Sequence, residues 1–443
     1  MQSSTPKVLQ TLAGNSLLGH VLDCAQSLQP AKISVVYGHG AEKVLTAFKD
    51  KTIQWVLQSP PQGTGDAVKQ VFHANGEAES SKDLMLVLYG DVPLIQKQTL
   101  LDLIELAKKD TLSLLTQTIT DPKGYGRIVR DKQGKIRGIV EHKDASAEQR
   151  LICEVNTGIV CAPSKRLRHW VAKLSNDNEQ SEYYLTDIAA LAVEEGVEVV
   201  SSSPTLEWEA QGINDQWQLA QLERQWQRHL AKEMLIQGIA IIDPDRIDIR
   251  GKLYAEKDVR IDLGCVFEGE VYLRSGAQIG PYCVIKNSDI GERSQIKAFT
   301  HIEQAKIGPH NQIGPYARVR PGTVTAEEVH IGNFVEIKNS EIGKKSKANH
   351  LAYVGDTQVG KEVNLGAGVI TCNYDGANKH QTIIGDGAFI GSNSQLVAPV
   401  TIGSGATIAA GSTIVADAPA NQLTLSRAPQ RTVASWTRPS KKT

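Results

Sequence analysis

The sequence predicts a Rossmann-like α/β domain followed by a C-terminal left-handed parallel β-helix built from hexapeptide repeats. Its 443 residues exceed what one ordinary hydrophobic core holds, so two domains are expected. Strand-like runs alternate with helical patterns in the first half, whereas apolar residues recur every six positions in the second half. We place the domains at residues 1–216 and 238–443, with a linker helix at residues 217–237.

The first half alternates short apolar strands with amphipathic helices. Ile33 to Tyr37 and Leu84 to Tyr89 are typical of strands, and Leu17 to Leu28 and Lys97 to Lys108 are typical of helices. This alternation indicates an α/β sheet. Between the halves, apolar residues recur at spacings of three and four residues from Leu219 to Met234, which predicts the linker helix.

The hexapeptide repeat extends from about Asp243 to Pro429. Each hexapeptide should supply one short strand and one corner, so that three hexapeptides complete a triangular coil with a shared apolar core. An antiparallel sandwich would instead show strict alternation. The repeat stops after Thr371 and resumes at Ile384, and an excursion from a solenoid is a usual place for a site. The inward positions are Ile290, Ile296, Ile302, Ile307, Ile313, Val319, Ile331, Ile337, Ile342, Val354, Ile384, Ile390, Leu396, Ile402, Ile408 and Ile414.

Composition excludes several classes of protein. With a net charge of -1, the chain has no overall positive charge that would attract nucleic acid or anionic lipid. The 6 cysteines lack the spacing of a zinc site or the density of a disulfide scaffold, which favours a reducing cytoplasm. Because no apolar run approaches the ~20 residues needed to cross a bilayer, a membrane span is not expected.

The register of the β-helix brings candidate site residues together. Arg320 and Lys338 follow two inward positions that are eighteen residues apart, so they should stack on one edge and attract an anion such as a sugar phosphate. The alternative is a surface pair that points into water. Tyr353 should end the third face of the Lys338 coil and return to that corner, where its phenol could bond a sugar. His350, on the same face, should be accessible as a general base.

Two further features of this half have ordinary explanations as well as functional ones. Ser392 and Ala410 share one hexapeptide position and leave room for a narrow ligand, although tight coils favour small residues anyway. His301, His310 and His330 are interpreted as structural. The spacings of nine, twenty and twenty residues that lead to His350 do not supply the close histidine pair of a β-helical metalloenzyme.

In the first half, an apolar strand ends at Gly90 and Asp91. Ligands of open α/β sheets bind at that edge, and a carboxylate there can hold Mg2+. A turn or helix-capping aspartate is the alternative. The loop from Gln58 to Gly65 could bring its backbone close to a ligand, although such loops are mostly turns.

Motifs along the whole chain resemble one family. The resemblance is carried by the β-helix and by the segments Pro6 to Leu9, Gln62 to Gly65, Tyr89 to Asp91, Gly124 to Ile128, Val140 to Lys143, Glu154 to Gly158 and Gly212 to Asn214. With these motifs the chain is similar to the bifunctional N-acetylglucosamine-1-phosphate uridyltransferases / glucosamine-1-phosphate N-acetyltransferases, whose products feed peptidoglycan and lipopolysaccharide synthesis.

The resemblance implies that the first domain joins UTP to N-acetylglucosamine 1-phosphate, and that Asp91 and Asn214 hold Mg2+. It implies that the β-helix transfers acetyl from acetyl-CoA to glucosamine 1-phosphate with His350 as base, in a cytoplasmic homotrimer with acetyl sites between subunits. The implied nucleotide-sugar contacts are Lys7, Gln58, Gly63, Thr64, Tyr89, Gly90, Asp91, Gly126, Glu141, Asn156 and Asn214. The implied amino-sugar-phosphate contacts are Arg320, Lys338, Tyr353 and Asn364, and the implied acetyl-CoA contacts are Ala367, Asn373, Tyr374, Ser392, Ala410 and Arg427.

One part of the family pattern precedes this sequence. The family begins with a strand and a Gly-rich L-A-A-G-x-G-T-R loop, whose backbone N–H groups would cradle a triphosphate, and Met1 stands just after it. We therefore expect an N-terminally incomplete nucleotidyltransferase domain with two unpaired strand edges. A start codon assigned too far downstream, or a clipped sequence, is favoured over a natural single-function enzyme, and the upstream reading frame would decide.

Three other functions stay open at this point. The chain could be an acetyltransferase only, or a sugar-1-phosphate nucleotidyltransferase with a structural β-helix, or a hexapeptide scaffold without catalysis.

Overall fold

A computed structural model describes residues 3–38, 41–49, 52–76 and 83–441. The chain divides into two compact units, Met1–Gln225 and Trp226–Thr443. Met1, where the family pattern departs from the sequence, lies outside the described residues. Each unit has its own core.

The N-terminal unit is an α/β domain, as predicted. Its main sheet is mixed, because Glu154–Pro163 pairs antiparallel with three strands while Val199–Ser202 and Leu112–Thr118 pair in parallel. The strands of this sheet are Leu84–Val87, Leu112–Thr118, Arg127–Arg130, Ile136–Val140, Glu154–Pro163 and Val199–Ser202. The helices of the unit are Leu17–Ser27, Glu42–Ala47, Thr64–Asn75, Lys97–Ala107, Ser164–Lys173 and Ile188–Glu194, with 3-10 turns at Lys7–Leu9, Gln149–Leu151 and Leu185–Asp187.

Two further strand pairs lie outside this main sheet. Thr11–Leu12 and Asn15–Ser16 form a short hairpin, and Ser34–Tyr37 pairs in parallel with Gln54–Leu57. Among the described strands, Leu84–Val87 pairs only with Glu154–Pro163. The α/β domain therefore has strand edges at Ser34–Tyr37 and at Leu84–Val87 that other described strands do not cover.

The helix Gln216–Ile236 covers residues 217–236 of the predicted linker helix, 217–237. The boundary between the two compact units falls within it, between Gln225 and Trp226. Its second half belongs to the C-terminal unit, where Ala231 is buried in the core and Gln227 exchanges two hydrogen bonds with the backbone of Ile249.

The C-terminal unit is a parallel β-helix with three faces, which confirms the predicted fold class. Two long strands, Ile247–Ala255 and Cys265–Leu273, span the second and third faces at its beginning. The first face consists of Ala240–Ile241, Arg260–Ile261, Gln278–Ile279, Gln295–Ile296, Gln312–Ile313, His330–Asn333, Lys347–His350, Asn364–Leu365, Phe389–Ile390, Thr407–Ile408 and Leu423–Thr424. The second face continues with Val284–Lys286, His301–Glu303, Arg318–Val319, Glu336–Lys338, Tyr353–Gly355, Ile370–Cys372, Gln395–Val397 and Thr413–Ile414. The third face continues with Asp289–Ile290, Lys306–Ile307, Val324–Thr325, Glu341–Ile342, Thr357–Val359, Thr382–Ile384 and Val400–Ile402.

The hexapeptide register is the one that the sequence predicts. Every inward position named above is buried, and successive coils pair inward residue with inward residue, as Val319 does with Ile337 and Ile390 with Ile408. Each coil therefore contributes aliphatic side chains to one continuous core.

Aromatic side chains form a stack along the corner between the first and second faces. Tyr282, Phe299, Tyr316 and Phe334 occupy successive coils with ring centroids 5.3, 5.0 and 5.4 Å apart. All four have positive φ angles, which cost a non-glycine residue free energy. The stacking of the rings offsets part of that cost.

None of the described helices has the length and apolarity needed to span a membrane.

Truncating one inward side chain should destabilise the β-helix strongly. Ile302 is fully buried between Ile285 and Val319 of the neighbouring coils, so Ile302→Ala should lower the free energy of unfolding by about 2–5 kcal/mol. The matched control is His301→Ala, because this neighbour points outward and should change stability by less than about 0.5 kcal/mol. Chemical denaturation of both variants checks the prediction, and equal losses would contradict it.

Candidate functional site

Four of the residues predicted for acetyl transfer, His350, Ala367, Ser392 and Ala410, form a column along one corner of the β-helix. Asn333 pairs with His350, and the pairing of Ala348 with Leu365 places Ala367 one coil beyond His350. Ser392 and Ala410 continue the same position on the next two coils. The corner column therefore consists of Asn333, His350, Ala367, Ser392 and Ala410, at the roughly 4.8 Å spacing of neighbouring strands.

His350 is exposed, as predicted, and its ring has a defined partner. Its Nδ1 lies 2.7 Å from Oδ1 of Asn333. Because an amide oxygen only accepts hydrogen bonds, this contact places the proton on Nδ1 and leaves Nε2 as the acceptor. A histidine held in this way is arranged to take a proton from a group that approaches Nε2.

The rest of the corner column is a strip of small side chains. Ala367, Ser392 and Ala410 follow His350 away from Asn333, and no bulky side chain occupies the column among them. At the far end, Nη1 of Arg427 donates to the carbonyl oxygen of Ala410 over 2.9 Å. The strip can therefore take a long, narrow ligand with an anionic end near Arg427.

A cluster of cations lies at the opposite edge of the second face. Arg320 and Lys338 occupy adjacent coils, as predicted from the pairing of Val319 with Ile337. The proximity of the Lys379 ammonium, together with burial and the charge of Arg320, lowers the pKa of the Lys338 ammonium. Glu336 pairs with Arg320 over 2.6 Å and neutralises part of the charge. Cations held this close favour a bound anion.

Asp356 supports the cation cluster from the neighbouring coil. Its carboxylate accepts hydrogen bonds from the side-chain amides of Asn339 and Asn373. Burial alone would raise the pKa of Asp356, but these two bonds and the charges of Lys338 and Lys379 hold it below its usual range. Asn339, Asp356 and Lys379 also line a hollow of about 200 Å³ beside the second face.

Tyr353 reaches from the His350 side of the second face towards the cations. It begins the strand Tyr353–Gly355 and pairs with Glu336, so the prediction that it ends the third face on the same face as His350 was wrong. A corner at Leu351, with a φ of 51°, separates the two residues. The Tyr353 hydroxyl lies over Gly355, which pairs with Lys338.

Asn364 is not brought together with the other predicted sugar-phosphate residues. It lies on the first face beside Lys347, whereas Arg320, Lys338 and Tyr353 lie on the second face. Asn364 lines a separate open groove of about 600 Å³ that also contains His330. The residues predicted to bind one sugar phosphate therefore occupy two faces of a single chain.

After Thr371, where the hexapeptide repeat is interrupted, the chain forms a compact loop that ends at Lys379. Asp375 accepts hydrogen bonds from the backbone N–H groups of Ala377 and Asn378, and its other carboxylate oxygen lies 2.7 Å from Nε2 of His380. Asn373 is buried at the base of this loop and Tyr374 is exposed on it. The loop explains how Lys379 reaches Lys338 from outside the hexapeptide register.

In the N-terminal unit, Lys7, Asp91 and Asn214 meet at one point. The Lys7 ammonium lies 2.5 Å from Oδ2 of Asp91 and donates to Oδ1 of Asn214 over 2.8 Å. Asp91 and Asn214 therefore direct two oxygen atoms at one cation. Oxygen donors of this kind suit Mg2+, so the residues present fit the metal that the resemblance implies.

Tyr89 connects this point to the loop before helix Thr64–Asn75. Its ring packs against Gly158, where a Cβ atom would approach the ring to 2.6 Å, and burial raises the pKa of its hydroxyl to about 12 despite a hydrogen bond with Thr64. Gln58 donates to the carbonyl oxygen of Gly63 over 2.9 Å. Gly90 packs beside Val8 in the same region.

Gly126, Glu141 and Asn156 form the third part of this site. The backbone N–H of Asn156 donates to the carbonyl oxygen of Gly126, and Gly126 lies beside the Glu141 carboxylate, whose pKa burial raises. The side-chain oxygen of Asn156 is buried and has no hydrogen-bond donor among the described residues. A buried acceptor of this kind is arranged to accept a hydrogen bond from a ligand.

Sequence reasoning missed several residues of both sites. The sequence predictions include neither Lys379 nor Asn333, although the register of the repeat places Asn333 one coil before His350. Lys379 stands in the interrupted segment, where the register gives no position. In the N-terminal unit, Asp66 was missed; it is buried and accepts a hydrogen bond from Gln58 over 2.7 Å.

Family models match both parts of the chain. A MobA-like NTP transferase domain matches residues 1–138, a GMPPB C-terminal domain matches residues 249–342, and a bacterial transferase hexapeptide model with six repeats matches residues 381–416.

Curated relatives match the chain from end to end. A relative from Bordetella parapertussis is 53% identical over 443 residues, which are 100% of this chain and 97% of the relative. A relative from Aromatoleum aromaticum is 52% identical and one from Azoarcus sp. is 53% identical, and the alignments cover 100% of this chain with 96% and 97% of those proteins. All three carry the name bifunctional protein GlmU.

Proposed function

The chain belongs to the family of bifunctional GlmU proteins, and from this premise we propose how its two domains make UDP-N-acetylglucosamine. The β-helix transfers acetyl from acetyl-CoA to glucosamine 1-phosphate. The α/β domain then transfers uridylyl from UTP to N-acetylglucosamine 1-phosphate and releases pyrophosphate. The predicted assignment of these reactions to residues 1–216 and 238–443 is part of the proposal.

The corner column is the observation that carries the acetyl-transfer half of the proposal. With the thioester of acetyl-CoA next to His350, the pantetheine arm follows Ala367, Ser392 and Ala410 towards Arg427, and Asn373 and Tyr374 complete the contacts. The amine nitrogen of glucosamine 1-phosphate bonds to the acetyl carbon, the carbon–sulfur bond breaks, and Nε2 of His350 takes the proton from nitrogen. The CoA thiolate leaves and is protonated, so no covalent enzyme intermediate is needed.

The cation cluster is the proposed phosphate subsite. Arg320 and Lys338 bind the phosphate of the amino sugar, Lys379 adds a third positive charge, and the Tyr353 hydroxyl contacts the sugar between the phosphate and His350. Asn364 lies on another face of the same chain. This separation supports a homotrimer in which a neighbouring subunit supplies Asn364 to each site. Light scattering of the purified protein would test the trimer.

For uridylyl transfer, Asp91 and Asn214 are the proposed ligands of Mg2+. A divalent cation bound there would supply charge neutralisation to the phosphates. Lys7 contacts the transferred phosphate, while Tyr89, Gly126, Glu141 and Asn156 position the nucleotide sugar. Positioning and charge neutralisation account for most of the catalysis of phosphoryl transfer. We also propose a cytoplasmic location, in keeping with the cysteines, which are all unpaired.

Two assays test the proposal on the purified chain. Glucosamine 1-phosphate with acetyl-CoA should release free thiol, and N-acetylglucosamine 1-phosphate with UTP and Mg2+ should release pyrophosphate. Absence of thiol release from the folded protein would contradict the acetyltransferase, and absence of pyrophosphate release would contradict the uridyltransferase. Thiol release without pyrophosphate release is the result expected of an acetyltransferase only.

Gly355 should be required to position Tyr353. A Cβ atom at Gly355 would lie 2.6 Å from the Tyr353 hydroxyl and 2.9 Å from Nδ2 of Asn373, so Gly355→Ala must displace both groups, and the Tyr353 hydroxyl most. We expect kcat/KM for glucosamine 1-phosphate to fall on the order of tenfold to a hundredfold, because small displacements in a site cost this much. Steady-state kinetics of acetyl transfer measures the effect.

Tyr353→Phe provides the matched comparison, because it removes only the hydroxyl. If Gly355→Ala acts through Tyr353, the double variant should be little worse than Gly355→Ala alone. Fully additive losses, or an unchanged kcat/KM in Gly355→Ala, would contradict this role.

A further inference from the structure

The Lys7 ammonium occupies the point at which Asp91 and Asn214 direct their oxygens. It contacts Oδ2 of Asp91 at 2.5 Å and Oδ1 of Asn214 at 2.8 Å, so the proposed metal-ligand oxygens already hold a cation. Lys7 is 84 residues from Asp91 and 207 residues from Asn214 in sequence, and its ammonium ties together three segments of the unit.

We propose that Lys7 is a built-in competitor of the divalent cation, which holds Asp91 and Asn214 together and must withdraw from them when the metal binds. This inference rests on the proposed function, because it takes these two residues as the metal ligands. Beyond the proposed function, we infer that the affinity of the nucleotide-free domain for the metal depends on how readily the Lys7 ammonium moves away from Asp91 and Asn214.

The two cations cannot use the same oxygens together. Mg2+ requires oxygen ligands at about 2.0–2.1 Å, and an ammonium that keeps both of its present contacts would lie within a few ångströms of the metal. Like charges at that distance repel strongly. Binding of the metal therefore requires the Lys7 side chain to rotate away.

The structure allows this rotation. Lys7 is the first residue of the short turn Lys7–Leu9, and its side chain and that of Asp91 are 33% and 27% exposed. The four-carbon side chain can turn its ammonium without a change in the backbone. A bound nucleotide phosphate would offer the displaced ammonium a new partner, so metal and nucleotide should bind more readily together than the metal binds alone.

A purely structural ion pair is the competing explanation. In that case Lys7 holds Asp91 and Asn214 in place without competing with the metal, so removing it would disorder these ligands and weaken metal binding. The two explanations therefore predict opposite changes in metal affinity.

The test is a titration of the nucleotide-free full chain with Mn2+, followed by electron paramagnetic resonance of the free ion. Lys7→Met removes the ammonium and keeps the aliphatic length, and Lys7→Arg keeps a cation. Lys132→Met is the matched control, because it removes one positive charge from an exposed turn at the far end of the hairpin that bears Gly126 and Glu141. Asp91→Ala identifies binding at the proposed ligands.

We expect Lys7→Met to bind Mn2+ on the order of tenfold more tightly than the unmodified chain, because a partly exposed ion pair no longer competes. Lys7→Arg and Lys132→Met should stay within about twofold of it. Unchanged or weaker binding by Lys7→Met, in a variant whose circular dichroism shows a folded chain, would overturn the inference but leave the metal site. Binding that Asp91→Ala does not weaken, or no binding by any variant, would overturn the metal site and the inference with it.

Discussion

Replacing His350 by alanine is expected to lower the kcat of acetyl transfer by about 10²–10⁴-fold, the usual contribution of a positioned general base. The amine of glucosamine 1-phosphate must lose a proton as it attacks the thioester, and Nε2 of His350 is the acceptor that Asn333 orients. His350 is exposed, so its removal leaves no cavity in the core. Thiol release from acetyl-CoA measures the loss.

Two comparisons make the His350 result specific. His301→Ala removes another exposed histidine of the same β-helix and should leave the kcat of acetyl transfer unchanged. Asn333→Ala should give an intermediate loss, because the imidazole remains but its orientation is no longer fixed. Substantial acetyl transfer by folded His350→Ala would show that another group takes the proton.

Replacing Asp91 by alanine is expected to lower uridylyl transfer on the order of 10²–10³-fold. The change removes the carboxylate of the proposed metal site, and the charge stabilisation that a bound divalent cation provides amounts to several kcal/mol of the barrier. It also removes the ion-pair partner of Lys7. Pyrophosphate release in the presence of UTP, N-acetylglucosamine 1-phosphate and Mg2+ measures the effect.

The matched control for Asp91 is Asp102→Ala, which removes an exposed carboxylate from the helix Lys97–Ala107. It should leave uridylyl transfer unchanged. Because each unit has its own core, Asp91→Ala should also leave acetyl transfer unchanged, and His350→Ala should leave uridylyl transfer unchanged. Loss of both reactions in either variant would indicate a defect in folding and not in chemistry.

The β-helix could be predicted from the sequence because its period is fixed by the geometry of the coil. An inward position recurs every hexapeptide, so counting places Val319 against Ile337 and hence Arg320 beside Lys338, as the structure has them. The stacking of Ser392 and Ala410 follows from the same counting. Repetition converts spacing along the chain into position in space.

The hexapeptide register does not predict the position of a residue where the chain leaves the repeat or turns a corner of the β-helix. The corner at Leu351 places His350 and Tyr353 on different faces, and a spacing of three residues does not reveal it. Lys379 reaches the cation cluster through a loop held by Asp375, whose hydrogen bonds have no period.

In the α/β domain, the contacts between Lys7, Asp91 and Asn214 join distant segments, and the order of strands in the sheet determines them. The apolar runs of the sequence identify those strands but not their neighbours. The end of an apolar strand therefore indicated Asp91, whereas Lys7 and Asn214 came only from the resemblance to a family.

Because the coils pair regularly, the number of coils in the β-helix is independent of the residues that form its proposed active site. Every proposed site residue of the C-terminal unit lies at or beyond Arg320, whereas the coils between Cys265 and Ile313 contribute strand pairing, core and the first rings of the aromatic stack. Each of these coils presents the same aliphatic positions to the next one, so coils could be gained or lost as whole modules without disturbing the corner column. The fold can thus change its reach over evolutionary time while its active site stays as it is.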